Sequence, residues 1–151
     1  MLLCLKENQF NKNDILINNK IKNNVINNSY FYRIYYANDY FILNGITIEF
    51  TLKDIKVEKH FNKIKINFNK KDNINTIENL LNVELDLMNM FNNSKKKKLL
   101  LKEQLENDFI KIVNNYKNIT KQSKIKLILK ISGFWESNYD YGITFRCLNI
   151  D

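Results

Sequence analysis

A chain of 151 residues with 44% hydrophobic residues is long enough to bury one continuous core and too apolar to be a disordered segment. Its net charge of +8 comes from 24 basic and 16 acidic residues, and 22 of the basic ones are lysines. Together with 27 Asn and 21 Ile these lysines make up nearly half the chain, so an AT-biased genome (a parasite, a large DNA virus or a linear plasmid) accounts for the charge as well as a polyanionic partner does, and net charge alone excludes neither.

Residues 1–29 are Asn-rich and weakly patterned, which predicts an N-terminal arm or accessory strand, with a short strand over 15–17, ahead of a single domain over 30–151. Proline is absent and glycine occurs only at Gly45, Gly133 and Gly142. Turns therefore fall to Asn and Asp, which tolerate left-handed backbone. Aromatic and β-branched residues predict a strand over 31–36, closed by a turn at Asn38 and Asp39. Phe41 to Leu43 then run into Asn44 and Gly45, a turn or bulge signal.

Ile46, Ile48, Phe50 and Leu52 alternate with Thr47, Glu49, Thr51 and Lys53, the pattern of a half-buried strand. The apolar phase slips at Lys53 and Asp54, resuming at Ile55 and Val57. That predicts a bulge bending one long strand. The next strand, over 61–68, points Ile64, Ile66 and Phe68 inward and Lys63, Lys65 and Asn67 outward.

A helix follows, with Asn75 as N-cap, Glu78 completing a capping box, and Ile77, Leu80, Leu81, Leu85, Met88 and Phe91 as its apolar face. It carries Glu78, Glu84 and Asp86 and no base. Cations are thus segregated onto the strands, which codon bias does not explain. The lysine run within 92–98 reads either as a solvated turn or as a polyanion contact.

Residues 99–105 predict a helix and 109–113 a short strand. Ile125, Leu127, Leu129 and Ile131 then form one strand face, with Lys124, Lys126, Lys130 and Ser132 on the other, interrupted by Ile128. An aromatic connection over 133–141 leads into a final strand with Ile143, Phe145 and Cys147 opposite Thr144 and Arg146. These last two strands read as a hairpin.

Catalytic chemistry is not encoded in any recognisable pattern. His60 stands alone, no His, Cys or carboxylate spacing suits a metal, and no glycine-rich loop or nucleophile motif occurs. Carboxylates such as Asp39 and Glu49 are not set apart by their context. The expectation is a protein that is not an enzyme and takes no metal or cofactor. Cys4 and Cys147 predict free thiols in a reducing, intracellular setting, and the apolar start Met1 to Leu5 is too short for a signal or a membrane span.

Binding is better supported. Single-strand binders combine cations that track the backbone with rings on which bases stack. Arg33 lies among Tyr30, Phe31, Tyr32, Tyr35 and Tyr36, and Lys63 and Lys65 line one strand. Lys126 and Lys130 precede Trp135, Tyr139 and Tyr141. Trp135 has two readings: its parity continues the core face of 125–131, or it stacks. Tyr139 lies in a polar connection and is the better stacking candidate, although Glu136 and Asp140 beside it oppose close phosphate contact.

The element order (strand, long bent strand, strand, helix, two-strand hairpin) resembles the OB-fold, a five-stranded Greek-key barrel with a helix between its third and fourth strands. The segment Lys130-Ile-Ser-Gly-Phe-Trp-Glu136, followed by Tyr141-Gly-Ile-Thr-Phe-Arg146, is similar to the end of short single-stranded DNA-binding proteins of phages and large DNA viruses. The resemblance implies a mixed β/α, OB-like barrel over 30–150. It also implies sequence-tolerant binding of single-stranded DNA, in replication of an AT-rich viral or plasmid-like genome, with RNA left open. Its implied nucleic-acid-binding residues are Arg33, Tyr35, Lys63, Lys65, Lys126, Lys130, Tyr139 and Arg146. The acidic tail by which such proteins recruit replication partners is not matched at Asn149-Ile150-Asp151.

The competing expectation is a small structural or regulatory subunit of a replication or transcription complex. It rests on the wide apolar surface of the helix around 80–91, which a second copy or a replication protein would cover.

Overall fold

The computed structural model describes residues 3–113 and 123–149. The weakly patterned start supplies three short strands, β1 (Leu5–Lys6), β2 (Ile15–Ile17) and β3 (Ile21–Lys22). The aromatic run forms β4 (Tyr30–Ala37), followed by β5 (Ile42–Asn44), β6 (Ile46–Lys53), β7 (Lys56–His60) and β8 (Lys63–Asn67). Then come α1 (Ile74–Met90), β9 (Lys96–Lys97), α2 (Leu100–Glu106), β10 (Phe109–Ile112), β11 (Lys124–Glu136) and β12 (Asp140–Asn149).

β11 organises the molecule. One of its edges pairs antiparallel with β12 along nearly its whole length. The other edge is shared: Lys124 to Ile131 pair with β6, and Gly133 to Glu136 pair with β4. β1 adds parallel to β6, and β2 and β3 add antiparallel to β4, so the first 29 residues contribute edge strands to this large sheet. Gly45 is the fork between β5, which pairs β4, and β6, which pairs β11. Its φ of +84° is one that side-chain-bearing residues rarely adopt, and a Cβ there would lie 2.7 Å from the Ile131 carbonyl oxygen.

The expected five-stranded OB-like Greek-key barrel with a helix between its third and fourth strands is not what the chain builds. Strand accounts for 48% and helix for 22%, in a large open mixed sheet and a second, three-stranded sheet ordered β10-β8-β7. The cause lies at Asp54, whose φ of +51° ends β6 outright. A bulge would have kept 46–57 as one strand curling round a barrel. The break instead lets β7 leave the large sheet and pair β8.

The core lies between the inner face of the large sheet, the small sheet and α1. Ile48, Phe50, Leu52, Leu127, Leu129 and Ile131 meet Ile64, Ile66, Leu80, Val83, Leu87 and Met88. At the far end Phe91 stacks on Phe134 (centroids 4.4 Å apart, planes 8° apart) and meets Tyr32 edge-on at 4.6 Å. Leu85, expected on the apolar face, is exposed. The expected cap at Asn75 is also displaced. The helix begins at Ile74, and the buried Asn73 accepts from Lys53 N–H at 2.7 Å while its amide donates to the Lys53 and Asn69 carbonyls.

Glu84, which the sequence places on α1 with Glu78 and Asp86, is only 1% exposed. Its carboxylate accepts from the backbone N–H groups of Leu101 (3.0 Å) and Lys102 (2.8 Å), capping α2 from across the core. Burial pushes its pKa up, and the two amides work against that rise. Glu84→Ala leaves both amides without this partner and opens a void, so urea denaturation is expected to show a loss of about 2–3 kcal/mol. A loss below about 0.5 kcal/mol would mean that α2 does not depend on this cap.

Candidate nucleic-acid interface

Cross-strand partners in an antiparallel sheet project to the same face, so the register assigns the outer surface residue by residue. Across β6, β11 and β12 the rows read Thr47–Lys130–Arg146 and Glu49–Ile128–Leu148, with Thr51–Lys126 and Lys53–Lys124 beyond them. The register then shifts between Ile131 and Gly133, where Ser132 is the extra residue of a β-bulge. The bulge flips the parity of β11. Inward residues change from odd to even, so Phe134 and Glu136 are buried and Trp135 turns outward.

The outer rows therefore continue as Arg33–Gly133–Thr144 and Phe31–Trp135–Gly142. Gly142 provides the seat for the indole, since a Cβ there would stand 3.0 Å from Trp135 Cε2 and Cζ2. Beyond Phe31 and Tyr35, the edge strands present Ile21 and Leu16, both more than half exposed. One sheet face thus has an aromatic and apolar end and a basic end, with Arg33 between them.

Five of the eight expected residues, Arg33, Tyr35, Lys126, Lys130 and Arg146, share this face. Lys63 and Lys65 do not: they belong to β8 in the second sheet, where the Lys65 ammonium lies 4.2 Å from the centre of the Phe109 ring. Tyr139 sits in the turn between β11 and β12 and is 80% exposed, with its carbonyl accepting from Lys96 N–H. Sequence reasoning left Trp135 undecided and did not single out Phe31 as part of the face. The available signal was Gly133, because a glycine inside a strand pattern marks a bulge.

The basic end carries one carboxylate. Glu49 accepts from Lys126 at 2.8 Å and from Lys6 at 3.4 Å. The Lys126 hydrogen bond, against a smaller opposing effect of desolvation, holds its carboxyl below the usual range, so Glu49 is ionised at neutral pH. Ile128, flanked by Lys126 and Lys130 on its own strand, is buried at the centre of this face. The aliphatic stems of long cationic side chains are suited to such covering.

A second electrostatic cluster fixes the turn end of β11. The buried Glu136 accepts from Tyr32 Oη (2.9 Å), Asn93 Nδ2 (2.6 Å) and Lys95 Nζ (2.8 Å), and Lys95 also donates to the Ser137 carbonyl. Lys95 is thus a structural ion-pair partner, while Lys96 and Lys97 form β9 against Asp140 and Tyr141. Burial raises the Glu136 pKa, but the three donors outweigh it and leave the carboxyl below the usual range. The Tyr32 phenol is pushed up to about 12, by burial first and by Glu136 next.

A depressed carboxyl contributes stability that is complete above its unfolded value, about 4.3, and is lost as pH falls through the folded value. Lys95→Met is expected to cost about 2 kcal/mol at pH 7, below the range for fully buried pairs because Lys95 is partly exposed. The gap between variant and parent should narrow at pH 3.5 in parallel denaturation curves. An equal gap at both pH values would contradict the assignment.

His60 ends β7, exposed, with its ring edge-on to Phe61 at 4.9 Å. Among the described residues no group of three His, Cys, Asp or Glu is placed to hold a metal, and no helix is long and apolar enough to cross a membrane. Comparison with protein families, with curated proteins and with solved structures returns no match to this chain.

Proposed function

We propose that the protein is a sequence-tolerant single-stranded DNA-binding protein that lays the strand across the outer face of its large sheet. The observation that carries this reading is the bulge at Ser132, which brings Trp135 and Phe31 onto the same face as Arg33, Lys126, Lys130 and Arg146. Bases stack at the aromatic end, each contact contributing about 1–3 kcal/mol, while the cations at the other end neutralise phosphates. Base stacking needs no sequence, because every base has a π-face. A duplex keeps its bases stacked inside, so the aromatic end favours a single strand.

Fluorescence anisotropy with a labelled oligo-dT tests the reading, with a duplex of equal length and an oligo-U strand alongside. Saturable, salt-sensitive binding of dT that exceeds the duplex supports it. Preference for duplex, or no binding at low salt, would overturn it, and stronger binding of oligo-U would reassign the ligand to RNA.

Glu49 supplies an independent check, because it opposes phosphate where Lys126 and Lys6 attract it. Glu49→Gln is expected to raise oligo-dT affinity about 3-fold and to steepen the salt dependence by about 0.7, the increment for one further phosphate on a single strand. Unchanged or weaker binding would place the strand elsewhere.

A further inference from the structure

Nothing in the proposed function uses the free edge of β12. That edge is closed at two points: Lys98 N–H donates to the Tyr141 carbonyl (2.9 Å) and Val113 N–H to the Cys147 carbonyl (3.0 Å). Backbone groups alternate sides every residue, so Ile143 and Phe145 aim their N–H and C=O groups the same way as Tyr141 and Cys147. Among the described residues no strand pairs with them there. The open stretch from Tyr141 to Cys147 spans about 20 Å.

Beside this edge runs a groove of about 950 Å³ between β12, α2 and β10. Leu100, Phe109, Ile112 and Phe145 give it apolar walls, and Trp135 stands at its rim. Its charged lining is Lys63, Lys111 and Arg146 against Glu103 alone. Gln104 accepts from the Lys111 N–H, which ties α2 to β10 and holds the two walls together.

We infer that this groove binds a short extended peptide of a partner protein, carrying both apolar and acidic side chains, added as a strand to the Ile143–Phe145 edge. Three features select this occupant. Unpaired strand groups are a template for a peptide backbone. The apolar walls suit the alternate side chains that a strand directs to one side. The excess of two cations in the lining suits acidic side chains on the same peptide. β9 and Val113 plug the two ends, so the slot admits only a few residues, and the long edge of a second copy does not fit. This places Lys63 and Arg146, expected as nucleic-acid contacts, beside a protein ligand as well.

The probe is a capped, fluorescein-labelled pentapeptide, Asp-Ile-Asp-Phe-Asp, titrated with the full chain by anisotropy in the absence of nucleic acid. Two copies carry a single N-methyl group, one on the Ile nitrogen and one on the next Asp nitrogen. Saturable binding with a midpoint on the order of 100 μM is expected, the weak end of peptide recognition. One N-methyl copy should lose at least tenfold and the other little, because alternate amides face the edge. Lys111→Glu, whose side chain is exposed on β10, should also lose about tenfold while keeping the parent's thermal midpoint.

Absence of binding to the parent, or equal binding of both N-methyl copies, would overturn the proposal. Displacement of the peptide by oligo-dT with no effect of N-methylation would make the groove an extension of the nucleic-acid face and would equally end the peptide reading. Peptide binding by the parent and the contrast between the N-methyl copies are read without nucleic acid, so neither depends on whether the outer face binds DNA.

Discussion

Replacing Lys130 and Arg146 together by glutamate is expected to weaken oligo-dT binding by roughly 100-fold at low salt, through lost counterion release. The two residues face each other across β11 and β12, so their charges fall on one stretch of the strand's path. Removing two phosphate contacts should lower the slope of log affinity against log salt by about 1.4, and the introduced carboxylates add repulsion. Both side chains lie on the outer face, away from the core, so the thermal midpoint should move little. Cations elsewhere on the protein would leave the slope unchanged, and that result would refute the assignment of this face. The slope is a sharper readout than affinity, since it counts phosphates rather than summing every effect of the change.

Gly133→Ala is expected to cost about 3 kcal/mol or more, because the added methyl group meets neighbouring backbone. A Cβ at this position would sit 2.0 Å from the Tyr32 carbonyl oxygen and 2.9 Å from Phe31 Cζ. The first of these is backbone within the β4–β11 ladder and cannot swing aside. Relief requires β4 to separate from β11, which also dismantles the row that brings Phe31 beside Trp135. The effect comes from lost strand pairing and overpacking, in a chain whose total stability is on the order of 5–15 kcal/mol. Urea denaturation followed by tryptophan emission would measure it. Ser132→Ala, one residue earlier in the bulge, should cost under about 1 kcal/mol. Equal small effects at both positions would show that the close approach at Gly133 does not hold the two strands together.

The contrast between these neighbours shows where the amino-acid pattern carries structural information and where it stops. Period-two alternation correctly located β6, β8 and the β11–β12 hairpin, whereas Asn44 and Gly45, expected as a turn or bulge, are where the chain passes from β5 on β4 to β6 on β11. Alternation is a local consequence of side-chain direction. Parity, however, survives only until a bulge. The alternation of 125–131, carried past Ser132, places Trp135 in the core, whereas the ladder turns it outward and buries Phe134.

The break at Asp54 failed to show for a related reason. A bulge and a strand end both appear as a one-residue phase slip, and only the pairing of β7 with β8 separates them. Nothing in the sequence sets Glu84 apart from Glu78 and Asp86, because the distant amides that it caps leave no trace nearby in sequence. β1, β3 and β9 are two residues long, too short for any periodicity to appear. As for the candidate site, residue type was legible and assembly was not. Lys126, Lys130, Arg146, Arg33 and Tyr35 were expected from the resemblance, and only the register shows that these five share one face while Lys63 and Lys65 belong to another sheet.

Trp135 is the only tryptophan in the chain, so its emission reports on the proposed stacking position with no competing signal. Titration of the protein with oligo-dT at low salt should quench that emission saturably, with the same midpoint as anisotropy, and added salt should reverse it. Binding that leaves the emission of Trp135 unchanged would contradict the account, because the strand would then lie away from the face that the Ser132 bulge creates.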